Sequence, residues 1–162
     1  MPRRLTAALN TTVATGAVLV LLAGCGGSSS SSSANFKPGY QSAMHALGLT
    51  ASQIGTTIEG AAAQSDSQLQ VTFKSLASHW QTGTVQLDKL TAPSSVSSQF
   101  ASLKSAASRV EGDLGAIASA ASSNNQASAK TAAEHLVIDL AAGKTADQAI
   151  RSKLGLPASS SS

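Results

Sequence analysis

The feature that most constrains the fold is a set of apolar stripes whose steps alternate between four residues and three. The first runs through Tyr40, Met44, Leu47, Ala51, Ile54, Ile58 and Ala61. A second runs through Leu69, Phe73, Leu76, Trp80, Gly83, Leu87 and Leu90, and a third through Val96, Phe100, Leu103, Ala107, Val110, Leu114, Ile117 and Ala121. This spacing holds side chains on one face of an α-helix, whereas a strand alternates faces at every residue. A fourth and weaker stripe takes in Ala129, Ala133, Leu136, Leu140, Gly143, Ile150 and Leu154. Asp147 interrupts it, with neighbouring Ala146 as the alternative inward residue.

Punctuation separates the stripes. Ser65-Asp66-Ser67-Gln68 fits a capping box, with Ser65 as N-cap and Gln68 reaching back. Pro93 ends the second helix or opens the third, and Asn124 and Asn125 suit a turn and the N-cap of the fourth. Gly155 and Pro157 follow Leu154 in the order expected beyond a helix end. Short connections between long helices favour antiparallel neighbours. The expected fold is therefore all-α, an antiparallel up-down-up-down four-helix bundle over 38–157 that follows a disordered linker. Gly48, Gly55 and Gly60 each cost the first helix up to about 1 kcal/mol relative to alanine, so a bend is expected at Gly48 or Gly55. Much of the 42% apolar content is alanine, which buries little area, so the core should be thin and its helices closely packed.

The first 24 residues have another character. Arg3 and Arg4 give a positive start, Val13 to Ala23 is a compact apolar run, and small residues lead to Cys25, the one cysteine of the chain. This is the layout of an export signal. The run is about half the roughly 20 apolar residues that a membrane-spanning helix needs. Leu22-Ala23-Gly24-Cys25 resembles the lipobox of bacterial lipoproteins. That resemblance implies that the Cys25 sulfur receives a diacylglyceryl group and that a dedicated signal peptidase, recognising Leu22, Ala23 and Gly24, cuts just before it. Cys25 would then be the first residue of the mature protein, with its amine acylated further or left free. Lipidation would also remove an unpaired thiol from a compartment where disulfides form. Two or three acyl chains, at about 0.8 kcal/mol per buried methylene, would anchor the domain to the outer face of the membrane without spanning it.

The expected organisation is a signal peptide over 1–24, a lipidated cysteine with a Gly/Ser-rich tether over 25–37, the bundle over 38–157, and a disordered serine-rich tail over 158–162. The tract GGSSSSSS at 26–33 has no apolar side chain to bury.

Charge argues against nucleic acid as a partner. The chain has 11 Lys+Arg and 8 Asp+Glu, a net +3, and without Arg3 and Arg4 it would be 9 against 8, or +1. The charges are scattered, while nucleic-acid binding needs a concentrated basic face.

Catalytic and cofactor patterns are sparse. His45, His79 and His135 each flank a stripe residue (Met44, Trp80 and Leu136), and about 20 Å of helix rise separates His45 from His135 in the expected bundle. One metal cannot take all three. Glu59, Glu111 and Glu134 lack a histidine three residues on, so the di-iron pattern of helical bundles is absent. Glu111 and Asp113 diverge on a helix and read as a solvated face. In outline the chain is similar to small periplasmic haem-b cytochromes, whose resemblance places Met44 as an early ligand. The last turns, Gln148 to Leu154, carry no histidine to complete such a site, and no Cys-x-x-Cys-His occurs. No cofactor is expected, and Met44 reads as core filler. No serine lies in Gly-x-Ser-x-Gly.

The domain also resembles the small Ala/Ser-rich helical lipoproteins of high-GC Gram-positive bacteria, on stretches such as LTAPSSVSSQF and AKTAAEHL. The expected function is a non-catalytic interaction or structural module of the envelope. Its partners would be membrane lipid, through acylated Cys25, and an unidentified envelope protein. This reading expects a dry core with no buried polar cluster. The alternative is a bundle that binds a small apolar molecule, with Phe73, Trp80 and Phe100 lining a cavity.

Overall fold

The structure, a computed structural model, describes residues 29–158. Four long helices, α1 (Ser29–Glu59), α2 (Asp66–Asp88), α3 (Ser97–Ser122) and α4 (Gln126–Leu154), account for most of them. Short 3-10 turns lie at Ala61–Ala63 and Ser94–Val96, and no strand occurs among the described residues. No helix among them is long and apolar enough to cross a membrane.

The helix ends lie where local chemistry puts them. Ser65 caps α2 by accepting from the Gln68 backbone N–H, while Gln68 Oε1 accepts from Ser65 N at 2.9 Å. Asn125 Oδ1 accepts from Ser128 N at 3.1 Å at the start of α4. Asn124 turns the chain there with φ 52°, a left-handed conformation that asparagine tolerates. Gly155 ends α4 at φ 64°, and Leu156 N donates back to Arg151 O at 2.9 Å. A Cβ would strain that turn, so glycine belongs there.

The stripes become the core. Tyr40, Leu47 and Ile54 of α1 meet Phe73, Leu76, Trp80 and Leu87 of α2, Phe100 to Ile117 of α3, and Leu136 and Ile150 of α4 in one buried cluster. Packing is extensive between consecutive helices and slight between α1 and α4. Gly83 of α2 packs directly against Leu47 of α1. A methyl group there would lie 2.6 Å from Leu47 Cδ2, so the hydrogen of glycine is what lets the helices approach. On α2 and α3, Trp80 Nε1 donates to Ala107 O at 2.8 Å and Lys104 pairs with Asp88 at 2.7 Å. Between α3 and α4, Arg109 pairs with Asp139 at 2.7 Å, and Ala106 faces Gly143.

Two expectations need correction. The tether assigned to 25–37 is helical from Ser29, and the packed domain starts before residue 38. Phe36 is 2% exposed, stacks on Tyr40 at 5.4 Å and meets Phe100 edge-on at 5.3 Å. Pro38, inside α1, costs about 3 kcal/mol through its lost hydrogen bond. Burying Phe36 returns about 1.5–3 kcal/mol, and its two aromatic contacts about 0.5–1.5 kcal/mol each, so the turn before the proline survives. The expected bend at Gly48 or Gly55 does not interrupt α1 as a helical segment. The tail expected over 158–162 lies outside the described residues beyond Ala158.

The fourth stripe is the second correction. Ala129 is only half-buried, whereas Ala146 and Asp147 both face inward. Stepping four residues from Gly143 lands on Asp147, so the helix period brings it to the core despite its charge.

Candidate functional site

Cys25 and the recognition residues Leu22, Ala23 and Gly24 lie outside the described residues. The three proposed lining residues separate: Trp80 borders a cleft, while Phe73 and Phe100 are sealed in the core and do not line it. Each falls on a stripe, and a stripe marks burial without marking which side chains share a void. His45, His79 and His135 are exposed, on α1, α2 and α4. Among the described residues no three His, Cys, Asp or Glu side chains gather to hold a metal ion.

The inward turn of Asp147 builds a buried polar cluster, contrary to the dry core expected. Asp147 is 3% exposed and Tyr40 is fully buried. Tyr40 donates its hydroxyl to Asp147 Oδ1 at 2.6 Å, joining α1 to α4. Arg151, one turn on, donates Nε to both Asp147 oxygens at 2.8 and 2.9 Å, and its Nη1 reaches Pro157 O at 3.0 Å. Burial, and then the negative charge that accepts its proton, hold the Tyr40 hydroxyl well above its ordinary range. Tyr40 thus stays protonated as a donor at all ordinary pH. The sequence carries a trace of this cluster, since Asp147 and Arg151 are spaced i,i+4 for pairing on a helix.

A second group lies across α3 and α4. Arg109 Nε donates to Asp139 Oδ1 at 2.7 Å and its Nη1 to Ser105 Oγ at 2.8 Å. Asp113 stands beside Asp139, and its Oδ2 is buried with no hydrogen-bond partner. Asp113 is therefore half-buried with one oxygen unsatisfied, and does not simply belong to a solvated face. Partial burial, and then the Asp139 charge, raise its pKa above the ordinary 3.8, against the pull of His135 and Arg109. The folded state holds that proton more tightly than the unfolded chain does. Stability from this group is therefore full below 3.8 and falls as pH rises from there through the raised value. Asp113→Asn should flatten that decline by a few tenths of a kcal/mol, the scale of partly exposed charges. Urea midpoints between about pH 4 and 7, compared for the two proteins, measure the difference.

The cleft forms where α1 and α4 fail to close. Its volume is about 740 Å³, and it is open to solvent along one side. Met44 and Leu47 of α1, Trp80 of α2, Val110 of α3 and Leu140 of α4 supply apolar walls. The gap follows from small residues on the facing helices, Gly48 and Ala51 on one side and Gly143 on the other. Asp147 and Arg151 border one part of it. Leu49, also on the wall, is 56% exposed, and Val137 and Ile138 lie exposed at the preceding turn of the α4 face. Comparison of the chain with protein-family models, curated proteins and solved structures finds no match.

Proposed function

We propose that this chain is a membrane-anchored lipoprotein of the cell envelope, carrying a non-catalytic interaction or structural module. The observation that carries the reading is Leu22-Ala23-Gly24-Cys25 placed after Arg3-Arg4 and the apolar run Val13 to Ala23. Membrane lipid would be engaged through acylated Cys25, on the outer face of the membrane, with an envelope protein as further partner. Because α1 starts at Ser29, a short spacer would separate the lipid from the helix.

The module would be an antiparallel up-down-up-down four-helix bundle. Contact pairs support this. From Gly39 to Leu47 along α1, the α2 partners retreat from Leu90 to Gly83. From Ala106 to Arg109 along α3, the α4 partners retreat from Gly143 to Asp139. Connections of a few residues between helices fit the same topology. A non-catalytic role is favoured because the buried Tyr40 and Asp147 are spent on each other and on Arg151.

Intact-mass measurement of the membrane-extracted protein, before and after lipase, tests the anchor. The expected species starts at Cys25 and carries a lipase-sensitive diacylglyceryl mass. A free Cys25 thiol, or retention of residues 1–24, would refute it.

A second reading, binding of a small apolar molecule, is favoured by one observation: the cleft between α1 and α4. Its volume, about 740 Å³, lies within the roughly 300–1,000 Å³ range of small-molecule sites.

A further inference from the structure

We propose that the cleft between α1 and α4 binds a single-chain amphiphile with an anionic head, a long-chain fatty acid, with its carboxylate at Lys144 and His45. The proposal rests on the reading of the cleft as a ligand site and deepens it. The charged groups on the cleft wall are Asp139, Asp147, Arg151, Lys144 and His45. Asp139 is taken by Arg109, and Asp147 and Arg151 by each other. Among the described residues Lys144 has no ion pair, so the uncompensated charge on the wall is positive, and the His45 ring can donate a hydrogen bond beside it.

Position supports the same assignment. His45 follows Tyr40 by five residues and Lys144 precedes Asp147 by three, while Tyr40 and Asp147 touch. In the up-down arrangement both side chains therefore stand on the same side of that contact, about 7.5 and 4.5 Å along the helices. They are at nearly one level, on opposite rims. Beyond them the wall carries Trp80, Val110 and Leu140, with Asp139 neutralised by Arg109, and Leu49 on it is 56% exposed. The cleft borders α1 from Gln41 to Ser52, about 16 Å of helix. From the level of His45 to Ser52 is about 10 Å, so the trough takes the carboxylate and the first half of an extended long acyl chain, and the rest would run out past exposed Leu49. A neutral apolar molecule would leave Lys144 unused.

Trp80 is the one tryptophan of the chain and borders the cleft, so its fluorescence reports occupancy. The purified, delipidated protein would be titrated with palmitate, hexadecanol and hexadecyltrimethylammonium, each below its micellar concentration. Equilibrium dialysis with radiolabelled palmitate would run in parallel. The expected result is saturable palmitate binding, at least ten-fold tighter than the cationic amphiphile, with Lys144→Glu reducing that preference at least ten-fold. Gly48→Leu should abolish palmitate binding. A Cβ at Gly48 meets nothing within 4 Å, and leucine is the better helix former, so the fold survives and the leucine fills the trough. Equal affinity for all three amphiphiles would overturn the anionic-head assignment and leave the cleft as an apolar site. No response to any of them, or unchanged palmitate binding by Gly48→Leu, would overturn the ligand reading as well. So would a palmitate-insensitive dimer that Gly48→Leu converts to monomer, since the cleft would then belong to a second copy of the chain.

Discussion

Asp147→Ala is expected to lower the free energy of unfolding by about 3–5 kcal/mol, measured by urea denaturation at neutral pH. The substitution removes one partner of a buried ion pair and leaves the other behind. Arg151, whose side chain is 12% exposed, would keep its charge with no carboxylate to receive it. Tyr40, fully buried, would lose the acceptor of its 2.6 Å hydrogen bond. An orphaned hydroxyl alone costs about 1–3 kcal/mol, and an unpaired buried charge costs more. Tyr40→Phe should cost less, about 1.5–3 kcal/mol, because Arg151 still neutralises Asp147. The triple replacement Tyr40→Phe, Asp147→Leu, Arg151→Met should recover most of the loss, since no charge is then left alone in the core. A loss below about 1 kcal/mol in Asp147→Ala would mean that water reaches the cluster and that it does not clamp α1 to α4.

Phe36→Ala is expected to destabilise the domain by about 3–5 kcal/mol, the range for deleting a buried aromatic ring. Phe36 is 2% exposed and contacts both Tyr40 and Phe100, so its loss opens a void between α1 and α3 beside the Tyr40–Asp147 contact. The experiment discriminates between two accounts of the same residue. As part of a flexible tether, Phe36 would make no lasting contact and its removal would change stability by less than about 0.5 kcal/mol. Thermal or urea unfolding of the one variant separates the two.

The residues that local rules describe well are those whose neighbours in sequence decide their state. Ser65 and Gln68 satisfy each other, Asn125 caps the helix that follows it, and Gly155 takes the one backbone conformation that suits it. The stripes of α2 and α3 are buried as their spacing requires, because helical period alone sets which residues share a face. Phe36 was hidden by its surroundings. A serine tract on one side and Pro38 on the other argue against helix, and what overrides them, Phe100, lies 64 residues away.

Asp147 was hidden for a different reason. Its position is inward by period, but a carboxylate belongs in a core only when donors meet it there. One donor, Arg151, is local, while the other, Tyr40, is 107 residues distant. The cleft was less legible still. Trp80, Phe73 and Phe100 all lie on stripes, yet only Trp80 borders the void, because the void arises from what α1 and α4 lack. The sequence by itself determined the helical class, the caps and the inward faces, through interactions that reach no more than about four residues along the chain. The tertiary structure alone decided which inward faces meet, which polar groups complete one another, and where two walls of small residues stay apart. Those outcomes depend on pairings across long separations, on which local periodicity carries no information.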